Sequence, residues 1–258
     1  MKALVTGAGR RIGRAIALDL ADMGYDVAVH YGTSADEAEE VAKMIRDKGR
    51  TACCVQADLM QEDQVQSLVS QAAKGLGGPL TCLVNNASTF EHDQLEDATR
   101  DSWDKHMECN LRAPFVLTQT FAAQCPPPVK DERDEPVARG AIINMVDQRV
   151  RKLTPDFMTY TLSRAALWTM TQTTAQALAP AVRVNAVGPG PTLRGGRQDE
   201  DQFANQRAAT ILQRGSNPED MCQAVRYLLS ARGVTGQLIC VDGGQHLGWE
   251  TPDVVGME

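Results

Sequence analysis

Asp147, Tyr160 and Arg164 carry groups from which acid–base chemistry can be built. Tyr160 offers a phenolic O–H, Arg164 a permanent cation four residues later, and Asp147 a carboxylate thirteen residues earlier. Residues four apart on a helix share a face, so Tyr160 and Arg164 can address one ligand. A nearby cation lowers the pKa of a phenol and prepares Tyr160 to give up a proton. An ionised carboxylate only accepts hydrogen bonds. Asp147 can therefore orient Tyr160 or bind an N–H of a heterocycle, but it cannot hold a ketone oxygen. Its plainer reading is a loop cap. A guanidinium does not deprotonate in proteins, which makes Arg164 a poor proton relay. Lys152 is a conceivable substitute cation, on a loop.

The elements that must position these groups follow from the apolar pattern. Strands are predicted at Ala3–Val5, Asp26–His30, Thr51–Gln56, Thr81–Val84, Ala141–Val146, Arg183–Val187 and Leu238–Val241. Helical patterns lie between them, at Arg10–Met23, Ala35–Asp47, Gln61–Lys74 and Asp156–Leu178, with a further helix around Phe115–Phe121. Such alternation predicts an α/β fold, a doubly wound parallel sheet with helices on both faces, as one domain over residues 1–258. Two segments break the rhythm. Cys125–Gly140 is rich in proline and charge and reads as a surface insertion. Gly188–Gly215 reads as a long irregular lid after a strand end, where ligands bind in open sheets. Its Arg194, Arg197, Arg207 and Arg214 can meet an acidic ligand tail or be solvated, and solvation is the plainer reading.

Composition narrows the function. A chain of 258 residues can bury a sizeable core, and a net charge of -7 argues against nucleic acid or an anionic membrane surface as partner. No apolar run approaches the roughly 20 residues of a membrane span. The N-terminus reads as a strand entering a glycine turn and not as a signal peptide. The seven cysteines are odd in number and contain no C-x-x-C, which predicts reduced thiols and a cytoplasmic protein. The histidines lack metal-ligand spacing, so no metal site is expected, and His92, His106 and His246 read as structural or surface residues.

The first strand runs into TGAGRRIG. Gly7, Gly9 and Gly13 allow a tight turn and a close backbone approach, and the helix start offers free N–H groups to a pyrophosphate. The second strand ends in His30, Tyr31, Gly32, Thr33 and Ser34, with no acid before Asp36. A carboxylate there would favour NAD. Donors, with Arg10 and Arg11 nearby, suit the 2′-phosphate of NADPH. Asp58 follows the third strand and can reach the adenine rim, and Asn85-Asn86-Ala87-Ser88 follows the fourth.

These residues resemble the short-chain dehydrogenase/reductase family across essentially the whole chain. TGAGRRIG, the Asp58 turn, NNAS, Asn110 in CNLRAPF, Tyr160 at the head of Y-x-x-x-[basic], PGP at Pro189–Pro191 and VDGG carry the resemblance. It implies one Rossmann-type domain with a seven-stranded parallel sheet, usually as a homotetramer. The apolar helices around Tyr160 and Phe115 agree with such an assembly, and Trp249 in the tail can anchor across a subunit boundary.

Within the family the chain is similar to pteridine reductases and bacterial dihydromonapterin/dihydrofolate reductases. Arg11 in the first motif, His30–Ala38, NNASTF with Ser88 and Phe90, and NMVD with Asp147 in place of the usual Ser carry that likeness. It implies NADPH-dependent reduction of a dihydropterin or dihydrofolate, with Asp147, Tyr160, Arg164 and Asn110 catalytic. It further implies cofactor contacts from Gly7, Gly9, Arg10, Arg11, Ile12, His30, Tyr31, Ser34, Asp58, Leu59, Asn86, Ala87, Ser88, Tyr160, Arg164, Pro189, Gly190 and Thr192. Substrate contacts fall to Arg11, Ser88, Phe90, Asp147, Tyr160 and Leu193, with Phe90 stacking the pterin ring. Two other readings stay open. One is a carbonyl reductase of another small substrate, which Asp147 in place of Ser weighs against. The other is a catalytically weak NADP(H)-binding protein, because Arg164 stands where the family has Lys.

Overall fold

A computed structural model gives the structure of the protein and describes residues 1–196 and 198–251. Arg197 and residues 252–258 of the expected tail contact lie outside the described residues. In chain order the elements are β1 (Lys2–Val5), α1 (Arg11–Asp22), β2 (Asp26–Tyr31), α2 (Ala35–Asp47), β3 (Ala52–Gln56), α3 (Glu62–Gly75), β4 (Cys82–Asn85), α4 (Arg100–Met107) and α5 (Ala113–Gln124). Then follow β5 (Val129–Lys130), β6 (Pro136–Val137), β7 (Gly140–Met145), α6 (Met158–Leu178), β8 (Val182–Pro189), α7 (Glu200–Ala208), α8 (Pro218–Ser230) and β9 (Leu238–Val241).

Seven strands form one sheet in the order β3-β2-β1-β4-β7-β8-β9, and every neighbouring pair is parallel. Strands buried on both faces must be apolar at successive positions, and β1 shows why. Ala3 and Val5 pack into the cluster with α1, α2 and α8, while Leu4 points to the opposite cluster with α3 and α5. The chain winds one way from β1 to β3 and the other way from β4 to β9. That switch opens a crevice beyond the C-terminal ends of β1 and β4.

The helices match the strands by spacing. In α1, Ile16, Ala17, Leu20 and Ala21 are buried on one side. In α6 the first predicted turn, Asp156–Phe157, is not helical, because Phe157 takes a left-handed conformation at φ 58°. The insertion at 125–140 carries the exposed antiparallel pair β5–β6, closed by Asp131. The expected lid is not wholly irregular. It contains α7, started by a capping box in which Asp199 accepts the Gln202 N–H at 2.7 Å and the Gln202 side chain accepts the Asp199 N–H at 3.2 Å. Among the described residues no helix is long and apolar enough to cross a membrane. No group of three or more potential ligands among them is placed to hold a metal ion. All seven cysteines are free.

Candidate active site

The crevice at the switch point is built first by the glycine turn. Gly7 has φ +62°, and a Cβ there would meet Ala87 Cα at 3.1 Å. At Gly13 a Cβ would stand 2.2 Å from Gly7 O and 2.5 Å from Asn86 Nδ2. Both positions require glycine, the first for its backbone conformation and the second for space. Asn86 locks the turn from β4, donating to Thr6 O at 2.8 Å, and the Ala87 N–H reaches Thr6 Oγ1 at 3.0 Å. Arg11 has φ 53°, and the α1 N–H groups open onto the crevice without side-chain caps. A backbone surface with no side chains and a positive helix end suits a pyrophosphate.

Several residues expected at the cofactor have side chains engaged in the scaffold. His30 is buried (2% exposed); its Nδ1 accepts the Gly7 N–H at 3.0 Å and its Nε2 donates to Ala57 O at 3.1 Å. It clamps the glycine turn and does not face the crevice. Burial pulls its pKa down to about 4, opposed by the bond to Ala57. Ile12 packs against one core cluster and Leu59 lies within the other. The Thr192 side chain is buried, its hydroxyl shared between Gly190 O and Ser216 Oγ. Gly190 cannot carry a side chain, since a Cβ would lie 2.5 Å from Asp242 Cβ. Pro189 ends β8 at this edge.

Arg10, Tyr31, Ser34, Asp58 and Ser88 keep exposed or half-exposed side chains on the rim. Arg10 pairs with Glu37 of α2, a carboxylate that the count of acids along β2 missed. Arg11 departs from expectation. Its guanidinium reaches neither Phe90 nor Tyr160 by hydrogen bonding; it donates to the carbonyls of Arg194 at 2.9 Å and Leu193 at 3.0 Å. The described arginines of segment 188–215 hydrogen-bond within the protein too. Arg207 donates to Pro191 O, Ser216 O and Gly215 O, so it ties the backbone of this segment together.

The centre of the crevice joins β7 to α6. The Tyr160 hydroxyl donates to Asp147 Oδ2 at 2.9 Å, and Asp147 Oδ1 accepts the Arg149 N–H at 2.8 Å. Asp147 thus both orients Tyr160 and caps the short turn Gln148–Val150. Arg164 is 2% exposed, donates from Nη1 to Met145 O at 3.2 Å and lies 5.1 Å from the Tyr160 ring centroid. Its Nε is buried without a partner among the described residues. Burial, and then the Asp147 charge, push the Tyr160 pKa up, and Arg164 opposes them. Burial also raises Asp147, against the Arg149 amide and the Tyr160 hydroxyl. Tyr160 therefore keeps its proton at neutral pH and presents a hydroxyl, the acid form and not the base. Lys152 points elsewhere, to Gln245 O at 3.4 Å.

Phe90 stands over this pair. Its ring is 48% exposed, meets Tyr160 edge-on at 4.6 Å and stacks on Phe157 at 4.4 Å with an interplanar angle of 7°. The Arg149 guanidinium covers Phe157 at 4.8 Å. Asn110, in a wide turn at Glu108–Arg112, does not touch the acid. It binds both backbone groups of Thr89 at 2.9 Å each and donates to Ser163 Oγ at 3.2 Å, so it fixes the segment that carries Phe90. Sequence reasoning missed Phe157, Arg149, Asp93 and Thr159. Adjacency of Phe157 and Thr159 to Tyr160 was the available signal.

The fold and this site define a class. The chain belongs to the short-chain dehydrogenase/reductase family: a family model described as enoyl-(acyl carrier protein) reductase matches residues 7–246. It is 46% identical to FolM alternative dihydrofolate reductase 1 from Brucella suis, solved in complex with NADP, with a TM-score of 0.90 and 98% of each chain covered. The corresponding FolM from Brucella canis, also complexed with NADP, is 44% identical with a TM-score of 0.89, covering 98% of this chain and 97% of that one. The 3-oxoacyl-[acyl-carrier-protein] reductase FabG of Staphylococcus epidermidis is 34% identical over 95% of this chain and 98% of its own.

Proposed function

We propose that the chain, as one NADP-binding domain, is an NADPH-dependent reductase of a pteridine, a dihydropterin or dihydrofolate. The observation that carries this reading is the Tyr160 hydroxyl held on Asp147 at 2.9 Å beside the exposed ring of Phe90. A flat heterocycle stacks on Phe90, and Asp147 accepts from its N–H groups where a Ser would have held a ketone oxygen. NADPH, when bound, supplies the hydride. The glycine turn and the α1 N-terminus hold its pyrophosphate, and Arg10 with Ser34 serves the 2′-phosphate. Tyr160 gives the proton to the acceptor atom, and Arg164 holds the ribose as a fixed charge.

The likeness to the two FolM proteins supports this substrate class and cofactor. We place the enzyme in the cytoplasm, without a nucleic-acid or membrane partner, as a homotetramer. Support for assembly comes from the uncovered apolar face where Met107, Leu111 and Phe115 meet Ala166 and Met170. The test is NADPH oxidation followed with 7,8-dihydrobiopterin, dihydromonapterin, dihydrofolate and a panel of ketones. Turnover of at least one pterin is expected. Turnover of a ketone with none of any pterin overturns the reading, and tight NADPH binding without turnover of anything identifies a binding protein.

A further inference from the structure

Beneath Phe90 and Tyr160 runs a buried polar chain that the chemistry above does not use. His106 on α4 is 0% exposed and Asp93 2%. His106 Nε2 accepts the Glu91 N–H at 3.1 Å. A ring nitrogen that accepts carries no proton, so the neutral imidazole carries its proton on Nδ1. Nδ1 donates to Thr159 Oγ1 at 2.7 Å, and the Thr159 hydroxyl in turn donates to Asp93. Asp93 also accepts the Thr159 N–H at 3.1 Å and the Ser102 hydroxyl at 3.0 Å.

The two ends of this chain matter. Glu91 directly follows Phe90, and Thr159 directly precedes Tyr160. The two segments are distant in sequence and are also joined at Asp93, whose carbonyl accepts the Met158 N–H at 3.1 Å, but the imidazole is the link that reaches the residue next to Phe90. We infer that His106 is a positioning residue that sets the substrate-stacking ring of Phe90 against the proton donor Tyr160 through one neutral imidazole. The inference rests on the roles proposed above for those two residues. Burial holds the imidazole below its ordinary pKa, and the Arg164 charge adds to this, against the carboxylates of Asp93 and Glu91. The Tyr160 ring stands 5.9 Å away, edge-on. A protonated ring would have two donors and would lose the Glu91 bond.

Two variants of the full chain separate the two arms. A Gln amide reaches as far as Nε2 and offers its oxygen to Glu91. An Asn amide reaches only as far as Nδ1 and offers an N–H to Thr159. Hydrogen exchange, read without substrate, is expected to stay slow at residues 89–92 and quicken at 158–161 in His106→Gln, and to do the reverse in His106→Asn. With a pterin that the wild type reduces, loss of one hydrogen bond predicts about a fivefold effect. It falls on KM in His106→Asn and on kcat in His106→Gln, with NADPH affinity unchanged in both. Equal quickening of both segments in both variants, no quickening in either, or failure of both to fold overturns the inference and leaves His106 an ordinary core residue. A wild type inactive on every pterin overturns the proposed function alone, because the exchange pattern still decides this one.

Discussion

Acid should open the cofactor turn through His30. The ring is buried and neutral, with Nδ1 accepting from Gly7, and its pKa falls from 6.5 to about 4 on folding. Between those values the unfolded chain binds a proton that the folded chain refuses. Stability from this group is therefore complete above pH 6.5 and is lost as the pH falls towards 4. The gap, at about 1.4 kcal/mol per pH unit, is worth about 3 kcal/mol. That is a large share of the 5–15 kcal/mol typical of a domain. Urea unfolding across pH 4 to 7 measures it, with His30→Asn as the comparison. An Asn amide oxygen stands where Nδ1 stood and keeps an acceptor for the Gly7 N–H but does not titrate, so its curve should be flatter by up to about 1.4 kcal/mol per pH unit within the window. Other histidines and the carboxylates contribute equally to both proteins and cancel. NADPH affinity of the wild type should weaken near pH 4, when Gly7 loses its acceptor. Parallel stability curves for the two proteins would refute the reasoning, since His30 would then titrate alike in both states.

The remaining predictions concern the fixed cation and the turn. Arg164→Lys should lower kcat/KM about tenfold, because a lysine cannot keep the bond to Met145 O while lying flat against Tyr160. Steady-state kinetics check this, and a rise in rate would show that the arginine is a handicap. Gly13→Ala should cost about 1–3 kcal/mol by overpacking against Gly7 O and Asn86, read as a lower melting temperature and lost NADPH binding.

Most of the fold was legible because a parallel sheet covered on both faces writes itself as continuous apolar runs. All seven predicted strands of the large sheet are present to within a residue or two at their ends. Tyr160 and Asp147 were legible because one sits on a helix and the other at a strand end, and their spacing survives folding. His30 was misread for want of attention to its face. Val27 and Val29 point to one core and Ala28 to the other, so alternation puts His30 with Ala28, inward. Helix α7 was missed although Asp199-x-x-Gln202 spells a capping box. The His106–Thr159–Asp93 chain had no comparable signal. Its members stand 53 and 66 residues apart, and no local pattern brings them together.

Arg11 joins the glycine turn to carbonyls 182 and 183 positions further along the chain. On the proposed reading, the same guanidinium has two claimants, the lid backbone and an arriving pyrophosphate. It cannot saturate both with one planar fork. A pyrophosphate that drew the guanidinium away would leave the carbonyls of Leu193 and Arg194 without their donor, so the two ends of the crevice share one side chain.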